Sequence, residues 1–121
     1  MHTPIYIAAY HQSPFGKLGS ATVPDIVARA ATETCGSIQI DPALVDVGAI
    51  GATCNFSLNQ QGLLAGLVAM VPGLGGKPIE AVENACASGG QAIVSVIQKL
   101  LAGDGNVGIA LGYEKMRGAD G

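Results

Sequence analysis

Short apolar runs alternate with longer segments of helical periodicity along this chain of 121 residues. Runs bounded by Gly, Pro or polar residues predict four strands, at residues 5–10, 47–54, 79–84 and 107–113. These runs are almost continuously apolar, which is typical of strands that are buried on both faces. We therefore expect an α/β fold of the order βαβαβαβ, with a mainly parallel sheet and helices on both of its faces.

Helix signals separate the predicted strands. Thr22 can cap a first helix that has Pro24 in its first turn, and Gly36 is suited to end that helix. Apolar spacing predicts a second helix over residues 60–71 and a third over residues 87–102. The third helix is apolar on almost all sides, so we expect protein to cover most of its surface.

Composition and charge exclude several classes of protein. With 49% hydrophobic residues and a net charge of −3, the chain is too apolar for a disordered protein. It has no basic stripe, which argues against nucleic-acid binding, and no apolar run of the ~18 residues that a membrane-spanning helix needs. Only 12% of the residues are charged, so we expect part of the surface to face another protein.

The cysteines suggest a reducing compartment. Cys35, Cys54 and Cys86 are an odd number at scattered positions, unlike a disulfide framework, and no Cys/His cluster has the spacing of a zinc site. The first residues lack the basic region of a signal peptide. We expect a cytoplasmic protein that binds no metal.

Three glycines match a dinucleotide-binding pattern by letter only. Gly103, Gly105 and Gly108 have the spacing G-x-G-x-x-G, but a predicted helix precedes them and a predicted strand follows. The nucleotide motif needs the reverse order, a strand before it and a helix after it. We interpret these glycines as a turn from helix to strand.

Cys86 lies between the predicted strand at residues 79–84 and the apolar helix that follows. The free amides and partial positive charge of a helix N-terminus favour a thiolate, which is the nucleophilic form of cysteine, and can bind an oxyanion. Gly89 and Gly90 add no bulk beside the sulfur. A buried, inert thiol is the ordinary alternative, which we keep for Cys35 and Cys54. The position of Cys86 alone leaves both interpretations open.

Several segments resemble the thiolase family, in particular the sterol-carrier-protein type and acetyl-CoA acetyltransferases. The most specific is NACASGG at residues 84–90, which resembles the segment that carries the family's nucleophile. One weaker match is SPFG at residues 13–16, where Gln12-Ser13 replaces a basic residue and Thr. Two others are the segment at residues 41–46 followed by Gly51, and GYEKM at residues 112–116. The resemblance runs from Ile5 to Met116 and implies an incomplete N-terminal thiolase domain over residues 1–121.

The resemblance implies acyl transfer through Cys86, with a role in lipid metabolism. Cys86 would take an acyl group from acyl-CoA as a thioester, or hold the shortened acyl group after CoA cleaves a 3-ketoacyl-CoA, and its own amide would be one oxyanion donor. Coenzyme A would be substrate or product, with no permanently bound cofactor. Glu114 and Met116 would support the site from beneath, and Ser88 would be a first-turn helix residue. A homodimer would form through the strand from Ile79 to Asn84, paired antiparallel with its twin.

Complete thiolases are much longer, and the part without a counterpart here holds the CoA-binding loops, two catalytic histidines and a second catalytic cysteine. His2 and His11 match no catalytic motif. We therefore expect this chain alone to be inactive. It would be an expressed fragment, a split subunit whose C-terminal half is a separate chain, or a truncated product. We also expect its sheet to have an exposed edge. Acyl chain length, reaction direction and partner identity depend on that part.

Two other functions compete with a thiolase. A related condensing enzyme, of the ketoacyl synthase or hydroxymethylglutaryl-CoA synthase type, carries a cysteine at the same junction, although the flank at residues 87–89 favours a thiolase. A non-catalytic, thiolase-like structural subunit would not need Cys86. A cysteine hydrolase is excluded, since it requires a downstream His and none follows His11.

Overall fold

The computed structural model describes residues 3–116, and a three-stranded parallel sheet lies at their centre. The helices are α1 (Val23–Ser37), α2 (Asn55–Asn59), α3 (Leu64–Ala69) and α4 (Ser88–Ala102), with a short 3-10 helix at Pro42–Leu44. The strands are β1 (Val47–Gly51), β2 (Ile79–Val82) and β3 (Gly108–Gly112). The sheet order is β2-β1-β3, and both strand pairs are parallel. The predicted α/β class with a parallel sheet is confirmed.

Helices cover both faces of the sheet, as predicted. All five residues of the central strand β1 are buried, and their side chains alternate between two apolar clusters. Ile50 joins the larger cluster, which includes residues of α1 and α3, whereas Ala49 packs with Ala92 and Val96 of α4. Small side chains on the α4 side let this helix lie close to the sheet.

A capping box starts α1 at the predicted residue. The Thr22 hydroxyl accepts a hydrogen bond from the Asp25 amide at 3.3 Å, and the Asp25 carboxylate accepts one from the Thr22 amide at 3.2 Å. The predicted end of this helix is wrong, because Gly36 lies inside it. The helix continues to Ser37, and the left-handed residue that follows is Gln39, with φ 56°.

The first predicted strand, at residues 5–10, does not form. This segment has no regular structure, and its Tyr6 and Ile7 are 81% and 85% exposed. A strand needs a neighbour to pair its N–H and C=O groups. His11, directly after the segment, instead lies 2.7 Å from Glu33 of α1, which ties this part of the chain to a helix rather than to a sheet edge.

The second predicted helix is also corrected. Residues 60–71 were expected to form one helix, but α2 already begins at Asn55 and α3 ends at Ala69. Gln60 and Leu63, between the two helices, both have a left-handed backbone with φ 52°, which interrupts the helical path. α3 contributes Leu64, Leu67 and Val68 to the larger apolar cluster, whereas α2 has no buried residue, and the spacing of apolar residues does not reveal the backbone conformation between the two helices.

The three strands that form are shorter than predicted, because pairing stops at Gly51, Val82 and Gly112. In particular, the strand predicted over residues 79–84 ends at Val82. α4 follows the prediction to within one residue: it ends at Ala102, and Gly103, with φ 87°, caps it. The predicted turn from helix to strand over residues 103–108 is confirmed, since β3 begins at Gly108.

α4 is less covered than its composition predicts. Apolar residues on its outer side remain partly exposed, with Leu101 exposed to 53%; the others are Ile93, Val94 and Ile97. Within residues 3–116, therefore, the sheet covers one side of α4 only. None of the helices described is both long and apolar enough to cross a membrane.

Candidate functional site

Cys86 lies in a tight turn between β2 and α4, and its side chain is exposed. β2 ends at Val82 and α4 begins at Ser88, so only five residues connect the strand to the helix. Ala87 precedes the first helical residue and provides no side-chain cap. The turn therefore leaves the thiol open to solvent at the N-terminal end of a 15-residue helix.

The backbone amides around this helix end are only partly used. The Ser88 amide donates to the Ala85 carbonyl at 3.1 Å, and the Gln91 amide donates to the Ala87 carbonyl at 2.9 Å. Within residues 3–116, the amides of Cys86, Gly89 and Gly90 have no hydrogen-bond acceptor. Added β-carbons at Gly89 and Gly90 would meet nothing within 4 Å. Free N–H groups, open space and the positive end of the helix dipole together suit a bound anion.

The backbone of the turn is strained just before the cysteine. Ala85 has φ 45°, a left-handed conformation that L-residues other than Gly adopt at a cost of about 1 kcal/mol. The Ala85 amide donates to the Glu83 carboxylate at 2.6 Å, and the Ala87 amide donates to the Asn84 carbonyl at 2.9 Å. These local bonds hold the chain in the bend that exposes Cys86.

β1 packs directly against the start of α4 through Gly51. A β-carbon built on Gly51 would lie 2.1 Å from the Ser88 carbonyl oxygen and 3.0 Å from the Gly89 nitrogen. No side chain larger than hydrogen fits unless the backbone of α4 moves. Gly51 therefore sets the distance between the central strand and the helix end beside Cys86.

Two hydroxyl groups lie beneath the turn. Ser88, 4% exposed, accepts a hydrogen bond from the Asn84 amide at 2.8 Å, and its oxygen lies 3.0 Å from the Thr53 hydroxyl oxygen. Thr53 donates to the Ala85 carbonyl at 2.6 Å. Ser88 is thus a buried residue of the first helical turn, as expected. Sequence reasoning missed Thr53, although a hydroxyl side chain at the end of a buried strand could have marked it.

Glu114 joins β3 to the segment after β1. Its two carboxylate oxygens accept hydrogen bonds from the amides of Thr53 and Cys54, each at 2.9 Å. This contact agrees with the supporting role expected for Glu114. Met116, for which the same role was expected, has an exposed side chain.

The three cysteines occupy three different environments. Cys35 is buried in α1, and burial, with a smaller contribution from the negative charge of Asp41, raises the pKa of its thiol. Cys54 is half-buried before α2, and Cys86 is exposed. All three are free thiols.

Among residues 3–116, no histidine bonds to the cysteine turn. His11 pairs with Glu33 of α1, with 2.7 Å between its Nε2 atom and a carboxylate oxygen, and His2 lies outside the described residues. Among residues 3–116, no group of three His, Cys, Asp or Glu side chains could hold a metal ion. Within the described residues, the cysteine turn therefore has an exposed thiol and free amides, but no bonded histidine.

Comparison with known proteins gives the family. The model of the thiolase N-terminal domain matches residues 5–120. The chain is 30% identical to an acetyl-CoA acetyltransferase of Methanothermobacter thermautotrophicus and 29% identical to one of Methanocaldococcus jannaschii, each over 112 residues. These matches cover 93% of this chain but only 29% of either relative. The chain belongs to the thiolase family and corresponds to part of its N-terminal domain.

Proposed function

We propose that Cys86 is the acyl-accepting nucleophile of a thiolase-type acyltransferase. The observation that carries this proposal is an exposed thiol in a strained turn at the N-terminal end of α4, beside amides that have no acceptor within residues 3–116. The names of the two archaeal relatives, both acetyl-CoA acetyltransferases, favour this function over that of the related condensing enzymes.

The chemistry is thioester exchange. The Cys86 thiolate attacks the carbonyl carbon of acyl-CoA, a new C–S bond forms, and the carbonyl oxygen takes up negative charge. Collapse of this tetrahedral species breaks the original C–S bond, so CoA leaves as a thiolate that takes a proton from solvent. The Cys86 amide is one donor to the oxyanion, as free amides at a helix end are suited to be. Coenzyme A is thus substrate or product, and no cofactor is held permanently.

We further propose that the 121-residue polypeptide accepts an acyl group but does not complete the reaction. Transfer to a second molecule needs an acid or base near the sulfur, and His11 is bound to Glu33 instead. The chain spans 29% of the length of its archaeal relatives, which supports residues 1–121 as an incomplete N-terminal domain. The remaining groups would come from further sequence or from a separate chain.

Assembly and location are proposals as well. β2 is an edge strand of the described sheet, and pairing with the same strand of a second copy would satisfy its outer N–H and C=O groups. Three free thiols support a reducing compartment such as the cytoplasm. The proposed acyl-CoA chemistry supports a role in lipid metabolism.

Incubation with acetyl-CoA, followed by intact-mass and peptide mass spectrometry, tests the nucleophile. We expect one acetyl group on Cys86 of the wild-type chain, none on Cys86→Ala, and normal labelling of the matched control Cys54→Ala. Thiolysis of acetoacetyl-CoA by the 121-residue chain should stay at background. Acetylation that persists in Cys86→Ala, or is absent from the folded wild-type chain, would refute the proposed nucleophile; thiolysis at an ordinary enzymatic rate would refute the inactivity of the isolated chain.

A further inference from the structure

We propose that Thr53 is a positioning residue for Cys86: its hydroxyl holds the Ala85 carbonyl and so fixes the turn that presents the sulfur. The proposal rests on the proposed role of Cys86 as acyl acceptor. It starts from the strain at Ala85, whose left-handed φ of 45° is not a conformation that an alanine adopts by default. Such strain persists only where surrounding contacts determine the backbone.

The Ala85 carbonyl is the point at which these contacts meet. Its oxygen lies 2.6 Å from the Thr53 hydroxyl, 2.7 Å from the Ser88 hydroxyl and 3.1 Å from the Ser88 amide. Thr53 and Ser88 have one hydroxyl proton each, and their oxygens are also 3.0 Å apart. If Thr53 donates to Ala85, Ser88 can donate either to the same carbonyl or to Thr53. Without the Thr53 hydroxyl, Ser88 alone remains to donate a side-chain proton to this carbonyl.

Thr53 is itself held by a contact distant in the sequence. Its amide donates to one oxygen of the Glu114 carboxylate, and the neighbouring Cys54 amide donates to the other, each at 2.9 Å. Hydrogen bonds to a carboxylate are stronger than those between neutral groups. The path from Glu114 through Thr53 to Ala85 therefore connects the ends of β3 and β1 to the turn after β2.

The consequence for chemistry is geometric. Ala85 directly precedes Cys86, so rotation of the Ala85 backbone would move both the sulfur and the Cys86 amide that we propose as an oxyanion donor. Misplacement of a reacting group by about 1 Å can lower a rate by about 100-fold. Thr53 touches neither sulfur nor substrate in this scheme and acts through the Ala85 carbonyl alone.

Two matched pairs of variants isolate the hydroxyl group. Thr53→Val keeps the shape of threonine without the hydroxyl, and Thr53→Ser and Thr53→Ala differ from each other only by that hydroxyl. For each folded variant, acetylation of Cys86 by acetyl-CoA and alkylation of Cys86 by iodoacetamide are measured against pH, with circular dichroism and thermal melting as checks of structure. If Thr53→Val fails to fold, the comparison of Ser with Ala decides.

We expect acetylation of Cys86 to slow by about tenfold or more in Thr53→Val and Thr53→Ala, and Thr53→Ser to remain within about threefold of wild type. Alkylation, which needs no oxyanion donor, should slow by less than acetylation. Equal acetylation with and without the hydroxyl, or failure of serine to restore the rate, would overturn the positioning role. If wild-type Cys86 accepts no acetyl group, the proposed function is refuted independently of Thr53. In that case alkylation of Cys86 still tests the positioning role. Slower alkylation without the hydroxyl, restored by serine, supports the role of Thr53, whereas an unchanged alkylation profile overturns it.

Discussion

Cys35 and Cys86 are the same residue type near opposite ends of two 15-residue helices, and the fold treats them differently. Cys35 lies in the last turn of α1, is 3% exposed, and has a thiol whose pKa is raised by burial and then by Asp41. Cys86 is exposed just before α4, where the helix dipole is positive and amides are free within the described residues. The direction of the helix and the access of solvent, rather than the residue type, separate an inert thiol from a candidate nucleophile.

The largest expected effect comes from the contact beneath the Cys86 turn. Gly51→Ala would place a methyl group 2.1 Å from the Ser88 carbonyl oxygen, so α4 must shift, and we expect unfolding to become easier by about 3 kcal/mol. Gly36→Ala, beside Cys35, is the control: nothing lies within 4 Å of the added methyl, and alanine should stabilise the helix by about 0.5–1 kcal/mol. Urea denaturation of both variants measures these changes. Equal stability of the two variants would contradict the close packing at Gly51.

Replacing each thiol by a hydroxyl tests the difference in burial. Cys35→Ser puts a hydroxyl into the apolar cluster, and we expect a loss of about 1–2 kcal/mol in the free energy of unfolding. Cys86→Ser changes an exposed side chain, so its effect should stay within about 0.5 kcal/mol. Thermal or chemical denaturation decides; a larger loss for Cys86→Ser than for Cys35→Ser would reverse the assignment of buried and exposed thiols.

Alkaline pH should destabilise the protein through another buried group, the phenol of Tyr113. Burial, and secondarily the charge of Glu114, raises the pKa of Tyr113 from 10.0 to about 12. The fold therefore favours the neutral phenol: its contribution is intact below pH 10 and is lost as the pH rises from 10 towards 12. Between pH 9 and pH 11, we expect the free energy of unfolding to fall by about 1 kcal/mol less in Tyr113→Phe than in the wild type. Urea unfolding at each pH measures this difference. An identical pH dependence in both proteins would contradict the burial of the phenol group.

The elements that sequence predicts best are those whose signals are local. Thr22, Pro24 and Asp25 begin α1, Gly103 ends α4, and the apolar run of β1 is buried as expected. The segment at residues 5–10 is equally apolar, but whether it pairs with a strand depends on the rest of the fold, and here His11 binds α1. A run of apolar residues therefore indicates that a strand can form, not that a neighbour is present.

The candidate site also has a part that the sequence predicts and a part that it does not. Cys86 is a candidate by its place between a strand and a glycine-flanked helix, and the resemblance of residues 84–90 to the nucleophile segment of thiolases singles it out. The contacts of Thr53 and Glu114 could not be predicted from the sequence. Thr53 bonds to Ala85, 32 residues away, and to Glu114, 61 residues away, and both contacts depend on the packing of the sheet. The left-handed backbone of Ala85 is equally invisible to sequence reasoning, because alanine has no preference for it.

The most direct test of the central claim is the rate at which each cysteine of the native chain reacts with iodoacetamide near pH 7, located by peptide mass spectrometry. We expect Cys86 to react first, Cys54 more slowly, and Cys35 at least about 100-fold more slowly than Cys86 until the chain unfolds, because a thiol must be accessible and ionised to react. If Cys86 is labelled no faster than Cys35 and Cys54, the strand-to-helix turn does not present an activated nucleophile.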